Sequence, residues 1–374
     1  MGASPRCFRL EVDHILHGAA LPTCRLAIDG SRRFASLRGL AHRRPVFIAA
    51  LLRNSDAIVA VWIRELPLLV AHLGPRDVHV SIYESGSDDR TGRLLAHLAF
   101  LLQQLGASFT IISGGREAPG PRVPGLARLR NLALAPLHDR RVAINRPFAS
   151  VLFLNDVRLC AADALEILLQ REMGADYVCA FDEINFMGPA RGYDTWVARD
   201  IAGDFIFSEE HLWVYSYPVV PFNRPYDRQR WFAGKPVQMS TCWNGAVAFD
   251  ANAVRSPANV QFRSLNGTDE QSECYLFPLD LWRAGFGKLA MSPRARVTYD
   301  LADYDEQHWN GVGDPSTLSA TDTARVDLEV ARDEPWQPDE AIDWEGPPSR
   351  IRSAPFYRPE WLTWEDWLPH ALPD

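Results

Sequence analysis

The chain has no run of about 18 apolar residues, the least that crosses a bilayer as a helix. Its first 20 residues also lack the apolar centre of a signal peptide. As given, the sequence reads as a soluble chain with no membrane segment. A basic excess is missing too. The 39 Lys and Arg are outnumbered by 47 Asp and Glu, for a formal net charge of −8. No nucleic-acid partner is expected, because little charge is available to displace counterions from phosphates. The arginines that do cluster (Arg32, Arg33, Arg38, Arg43, Arg44) are read as a solvated face. The six cysteines show no CxxC or other metal-ligand spacing, which argues against zinc. Cys160 and Cys179, in or beside apolar runs, are read as small core residues. A Cys7–Cys24 disulfide stays open if the chain is secretory. No GxGxxG follows the first strand and no GxxxxGK[ST] occurs, which counts against NAD, FAD and P-loop chemistry.

What is present is an ordinary globular composition, 47% hydrophobic and 23% charged over 374 residues. That length fits one large α/β domain with extensions, or two intimate halves. The stretch Val151–Val157 organises the reading: four apolar residues, a buried strand, end abruptly in Asn155 and Asp156. A helix follows, with Asp163 as its cap, Glu166 three positions on as in a capping box, and Leu165, Leu168 and Leu169 at helical spacing. Upstream, Val46–Leu52, Val78–Tyr83 and Phe109–Ile112 read as buried strands. Helices between them carry Ile58, Val61, Trp62, Leu66 and Leu69, then Leu94, Leu95, Leu98, Leu102 and Leu105. A Gly/Pro-rich loop spans 113–125, a third helix lies around 126–138, and Tyr177–Phe181 is a fifth strand.

This alternation predicts a doubly wound, mostly parallel sheet. Its polar clusters fall at the C-terminal ends of strands, where such sheets bind ligands. Arg53 and Asn54 follow the first strand, Glu84 to Asp88 the second, and Asn155 with Asp156 the one at 151. A hard carboxylate at such a rim suits Mg²⁺ or Mn²⁺ gripping a diphosphate. After about 182 the segments turn short and aromatic. Asp194 with Trp196, and Trp243 with Asn244, suit sugar rings, which present apolar faces and hydroxyls together; the alternative is that these aromatics fill an irregular core. The segment from 313 is Pro-rich and acidic, with Trp336, Trp344, Trp361, Trp364 and Trp367, and is read as a wrapping tail. The boundaries expected are an N-terminal extension (1–44), a nucleotide-sugar half (45–182), an acceptor and catalytic half of the same domain (183–312) and the tail (313–374).

Taken in order, these segments resemble the fungal α-1,3-mannosyltransferases that include the cryptococcal capsule-associated proteins, glycosyltransferase family 69. The carrying residues are Phe47 to Ala50 with Asn54, Ser81 to Asp88 with Thr91, Leu129-Arg130-Asn131, Val151 to Val157, Tyr193 to Trp196, Trp243-Asn244-Gly245, and Ser272 to Tyr275. The resemblance spans roughly 45–300. It implies a GT-A-like fold, a GDP-mannose donor, Mn²⁺ (or Mg²⁺), and transfer with retention to a mannose-containing glycan acceptor. Family members are usually Golgi membrane proteins. A Golgi lumen is therefore implied if an anchor was removed or lies outside this chain, and the cytoplasm otherwise. The sequon Asn266-Gly267-Thr268 is compatible with the lumen. Where the fold usually carries Asp-x-Asp, this chain has Asn155-Asp156-Val157.

On this reading Asp156 is the metal ligand, with His308 a candidate for a distant second one. Asn155 contacts the ribose or the ion's water shell, and Arg130 forks onto the diphosphate. Asn54, Glu84 and Ser87 sit where base and ribose would be read. Glu273 is placed beneath the sugar ring, with Asp194 as its rival, working through an ion pair on one face or a covalent intermediate. Glu273→Gln is then expected to abolish transfer and spare donor binding. Trp196, Trp243 and Asn244 would face the acceptor. Three alternatives stay open: a UDP-sugar donor, an inactive nucleotide-sugar or glycan-binding protein, and a two-carboxylate glycoside hydrolase.

Overall fold

A computed structural model describes residues 31–39, 44–115, 120–139, 142, 147–184, 191–194, 196–206, 222, 224–299 and 334–348. Its first strand, β1 (Val46–Leu52), shows why the early apolar runs are continuous. Side chains alternate across a strand. Val46, Ile48, Ala50 and Leu52 therefore join one core cluster, while Phe47 and Ala49 join a second on the opposite face. A strand covered on both sides has no polar face to show.

The alternation continues with α1 (Asp56–Leu73), β2 (Val78–Glu84), α2 (Thr91–Leu105), β3 (Ser108–Ile112), α3 (Arg122–Leu134), β4 (Ser150–Leu154), α4 (Ala161–Glu172) and β5 (Tyr177–Ile184). Helices α1, α2 and α4 cover the first face, and α3 the second. Helix α3 starts before the Gly/Pro-rich reading allowed. Pro124 falls in its first turn, where a missing N–H costs no hydrogen bond. The Asp269 carboxylate accepts from the Val123 N–H at 2.7 Å and caps that end. Helix α4 is capped differently from the expectation. Cys160 is its cap, and Asp163 reaches back to the Cys160 N–H at 2.9 Å. Glu166 is used elsewhere.

Next come β6 (Arg191–Gly192), β7 (Arg199–Asp200), α5 (Pro225–Phe232), β8 (Val237–Thr241), β9 (Ala246–Asp250), α6 (Glu273–Arg283) and β10 (Leu289–Thr298). The described strands form one 10-stranded sheet ordered β3-β2-β1-β4-β9-β5-β10-β8-β7, with β6 on β5. The block β3-β2-β1-β4 is parallel. Strand β9 then runs antiparallel between β4 and β5, so the sheet is mixed where the sequence suggested a parallel continuation. Sheet pairing runs straight through the expected boundary at 182, since β9 and β10 lie among the earlier strands.

Cys160 and Cys179 are buried, as their apolar surroundings suggested, and both are disulfide-bonded; Cys179 is joined to Cys242, which ties β5 to the turn before β9. One expectation about an isolated residue is overturned. Arg33 is no solvated arginine. Its Nε donates to Glu166 Oε2 at 2.6 Å and its Nη2 to Glu340 Oε2 at 2.7 Å, with none of its side chain exposed. Burial would raise the Glu166 pKa, but Arg33 outweighs it and holds the carboxyl at about 2. This triad pins residues 31–39 and 334–348 to α4, and Trp336 and Trp344 pack on the same core. Trp361, Trp364 and Trp367 lie outside the described residues.

Candidate active site

In the order β3-β2-β1-β4, the chain leaves β1 to one side and returns on the other, so β1 and β4 flank a topological switch point. A cleft of about 860 Å³ opens at their C-terminal ends. Leu51 to Arg53 line it at the end of β1, Ser85 and Gly86 after β2, and Asn155 with Asp156 after β4. Arg122 and Arg130 reach it from α3, and Tyr193 and Tyr299, whose ring centroids are 5.0 Å apart, line it as well. Arginines around one carboxylate make it a place for an anion and a cation together.

Asp156 is the only carboxylate among the described residues lining the cleft. Burial raises its pKa, against the pull of its own backbone N–H, Arg130 and Arg122. A hard oxygen donor so placed gains from a cation, which repays its desolvation. Asn155 is differently employed. Its Oδ1 accepts from Arg130 Nη1 at 2.8 Å and from Trp243 Nε1 at 3.0 Å, while its Nδ2 donates to the Tyr299 hydroxyl at 2.9 Å. With both ends of the amide engaged, Asn155 holds neighbours in place and is not free to ligate.

Arg130 lines the cleft while almost wholly buried. Its guanidinium carbon lies 4.6 Å from the Trp243 ring centroid and 5.3 Å from that of Phe153. Nε donates to Glu273 Oε1 at 3.0 Å. Burial alone would lower the Arg130 pKa, but neighbouring Cys274 and Glu273 raise it. Glu273, the first residue of α6, is only 2% exposed, and its oxygens are met by Arg130, Ser272 and Cys274. It is not among the residues that line the cleft.

Glu84, Ser87 and Asn54 come together, but as a brace. Glu84 accepts from the Ser113 hydroxyl at 2.8 Å, from the Gly114 N–H at 2.6 Å and from the Ser87 N–H. Burial pushes its pKa up, yet these donors outweigh that and hold it below the usual carboxylate range. The Asn54 N–H donates to Ser87 Oγ at 2.8 Å, and Asn54 Oδ1 accepts from the Asp88 N–H at 2.9 Å. These side chains fix the loops that shape the cleft; Ser85 and Gly86 between them face it. A Cβ at Gly86 (φ +78°) would stand 2.7 Å from the Gly115 carbonyl, so only glycine lets the two loops meet.

The aromatic candidates separate. Trp196 is 45% exposed, whereas Trp243 and Asn244 are buried and not open to an acceptor. Asp194 Oδ1 accepts from the Trp196 and Val197 N–H groups at 3.0 and 2.9 Å, which caps its own turn. Beside it lies Asp182 in β5, which the sequence reading passed over. Asp182 is wholly buried, and its Oδ1 accepts from Asn244 Nδ2 at 2.6 Å. The signal was available: Asp182 ends an apolar run as Asp156 does. Tyr299, after β10, was also missed; nothing periodic announces it. His308 lies outside the described residues. No cluster of three or more His, Cys, Asp or Glu able to hold a metal occurs among the described residues. A Mg²⁺- or Mn²⁺-type ion needs fewer protein ligands, because it is often held by one carboxylate plus substrate phosphates. Asp156 fits that pattern.

Fold and site together define an α/β protein whose mixed sheet opens, at a topological switch point, into a cleft lined among the described residues by arginines and one carboxylate. Residues 45–280 match the family model described as cryptococcal mannosyltransferase 1, and the chain belongs to that family. It is 31% identical over 262 residues to alpha-1,3-mannosyltransferase CMT1 of Cryptococcus neoformans var. neoformans serotype D, covering 66% of this chain and 56% of that protein. The chain thus spans little more than half of that relative's length. Among solved structures it is similar to mannosyltransferase PcManGT from Pyrobaculum calidifontis in complex with GDP-Man and Mn²⁺, at 10% identity and a TM-score of 0.41 over 78% of this chain and 67% of that one. It is also similar to GalNAc-T7 with UDP, GalNAc and Mn²⁺, at 14% identity and a TM-score of 0.41 over 75% and 47%.

Proposed function

We propose that this chain is a retaining, divalent-metal-dependent mannosyltransferase with a GT-A-like fold. It would move mannose from GDP-mannose to a mannose-containing glycan, in α-1,3 linkage. The observation that carries the reading is the one carboxylate among the described residues lining the cleft, Asp156, facing the buried arginine of α3 at the switch point between β1 and β4. Asp156 would hold Mn²⁺ or Mg²⁺, which when bound neutralises charge on the departing diphosphate. Arg130 supplies a fixed positive charge beneath the same group, pre-aimed by Glu273 and Asn155. Tyr193 and Tyr299 wall the sugar end, and exposed Trp196 offers a stacking face to the acceptor.

With no second carboxylate lining the described cleft, retention is assigned to attack on the face the diphosphate leaves. The C1–O bond breaks with its electron pair going to phosphate. The acceptor oxygen bonds to C1 on that face and passes its proton to the departing phosphate. Disulfide bonding at Cys160 and between Cys179 and Cys242 supports an oxidising compartment such as the Golgi lumen. No described helix is long and apolar enough to cross a membrane.

A donor panel tests the proposal: GDP-mannose, UDP-galactose and UDP-glucose, each with and without Mn²⁺, followed by release of the nucleotide. Slow Mn²⁺-dependent release of GDP from GDP-mannose supports it. Release of UDP instead transfers the reading to a UDP-sugar enzyme, and binding without turnover marks an inactive glycan- or nucleotide-sugar-binding protein.

A further inference from the structure

Two carboxylic residues outside the cleft lining, Asp182 and Asp194, are neighbours in the fold. Asp182 of β5 is completely buried, and its Oδ2 has no hydrogen-bond partner among the described residues. Its Oδ1 accepts from Asn244 Nδ2 at 2.6 Å and from the Asp194 N–H at 3.2 Å. The backbone N–H of the same Asn244 serves the Asp194 carboxylate. One asparagine thus donates to both acids. A buried oxygen with no donor, next to a second carboxylate, is a costly place for a negative charge.

Asn244 begins a path to the cleft. It takes a left-handed conformation, φ +47°, and Gly245 follows at φ +78°. The Gly245 carbonyl accepts from the Asn155 N–H at 2.8 Å. Trp243, on the other side of Asn244, donates from its indole to Asn155 Oδ1, where Arg130 also donates. The acid pair therefore grips the turn that sets both the backbone and the side chain of the residue before Asp156.

We propose that Asp182 and Asp194 share one proton, and that Asp182 is a positioning residue which, through Asn244, fixes Asn155 and Arg130 for the proposed nucleotide-sugar site. The nucleotide part of this rests on the function proposed above; the shared proton and the grip on Asn155 do not. Burial, with Asp194 alongside, pushes Asp182 up to about 7, and burial raises Asp194 as well. The charged and titratable groups facing the pair are Tyr177 of β5, Arg199 of β7, Cys274 of α6 and Tyr299 after β10, which also faces Asp156 and Arg130. Arg199 opposes the shift at Asp194 without pairing with either acid. Between pH 3.8 and about 7 the folded chain then holds a proton that the unfolded chain has released, so stability falls as pH rises through that window.

The test uses the full chain, with Asp182→Asn and Asp182→Ala beside it. Urea unfolding is followed across that pH window, and amide exchange is read at Asn155. The asparagine imitates the protonated acid, so Asp182→Asn should fold, flatten the pH slope and leave Asn155 protected. Asp182→Ala should speed Asn155 exchange about tenfold. GDP affinity in the presence of Mn²⁺ should weaken by a similar about tenfold factor, with Asn restoring it. An unchanged slope in Asp182→Asn, or unchanged Asn155 exchange in Asp182→Ala, overturns the proposal. If Asp182→Ala does not fold, the slope and Asn155 protection in Asp182→Asn still decide. Should the parent chain bind no GDP, the nucleotide reading fails alone, and slope and exchange judge the acid pair.

Discussion

Glu273 opens α6 by accepting the Arg130 Nε–H at 3.0 Å, an ion pair almost wholly out of solvent. That contact occupies the Glu273 carboxylate with an arginine. A carboxylate beneath a sugar ring must face the cleft, and this one faces an arginine. Removing one partner of a buried pair strands the other and costs about 3–5 kcal/mol. Glu273→Ala should therefore lower stability by roughly that amount and weaken GDP binding together with transfer. Urea unfolding alongside a GDP titration checks this. Full donor affinity with transfer abolished would return Glu273 to the place the sequence suggested.

Gly245 is a second sensitive point. A Cβ there would stand 2.8 Å from Val157 Cγ1 and 3.0 Å from Val297 Cγ2, at φ +78°. Valine side chains are stiff, so neither gives way easily. Left-handed backbone adds about 1–2 kcal/mol for an L-residue. Gly245→Ala should lower the melting temperature and loosen the Asn155 amide bonded to the Gly245 carbonyl. A melting temperature and Asn155 exchange rate like those of the parent would show that the turn tolerates a side chain.

The Arg33–Glu166 pair predicts a slope at acid pH. Arg33 lowers the Glu166 pKa from 4.5 to about 2, against the opposing effect of burial. A carboxyl with a depressed folded pKa stabilises fully above its unfolded value and loses that contribution as pH falls through the folded one. Stability should therefore drop between pH 4.5 and about 2, and Glu166→Gln should lose stability at neutral pH while flattening that part of the curve. Unfolding measured across pH for both chains settles it, and parallel curves would contradict it.

The parallel half of the fold was legible because burial on two faces writes continuous apolar runs, as in β1 and β4. The second half was not. Strand β9 is five residues long and follows a tight turn, so its antiparallel insertion leaves no period to detect. Strand β10 hides its burial behind Pro293, Arg294 and Arg296. Its register shifts between Met291 and Arg296, and the two arginines donate to the Gly234 carbonyl and to Glu183. A hydropathy pattern cannot distinguish such satisfied arginines from exposed ones.

The site divides along a similar line. Residue type and strand-end position singled out Asp156 and Glu84, and Arg130 came from its place on the helix after the Gly/Pro-rich loop together with the family resemblance. These signals could not say which polar side chains spend their hydrogen bonds on the protein. Glu84 is taken up by Ser113, Gly114 and Ser87, and Asn155 by Arg130, Trp243 and Tyr299. Trp243 and Asn244 look like sugar contacts in sequence because aromatic and amide groups adjoin. In the fold they are the buried support of Asn155. Partners distant in sequence decide these roles, and no local pattern encodes them.

The central claim is that Asp156 holds a divalent cation against a nucleotide diphosphate. Calorimetric titration of GDP, with and without Mn²⁺, into the parent chain and Asp156→Ala tests it most directly. The account predicts Mn²⁺-dependent binding in the parent that disappears in Asp156→Ala. Equal, metal-dependent binding by both chains would contradict it.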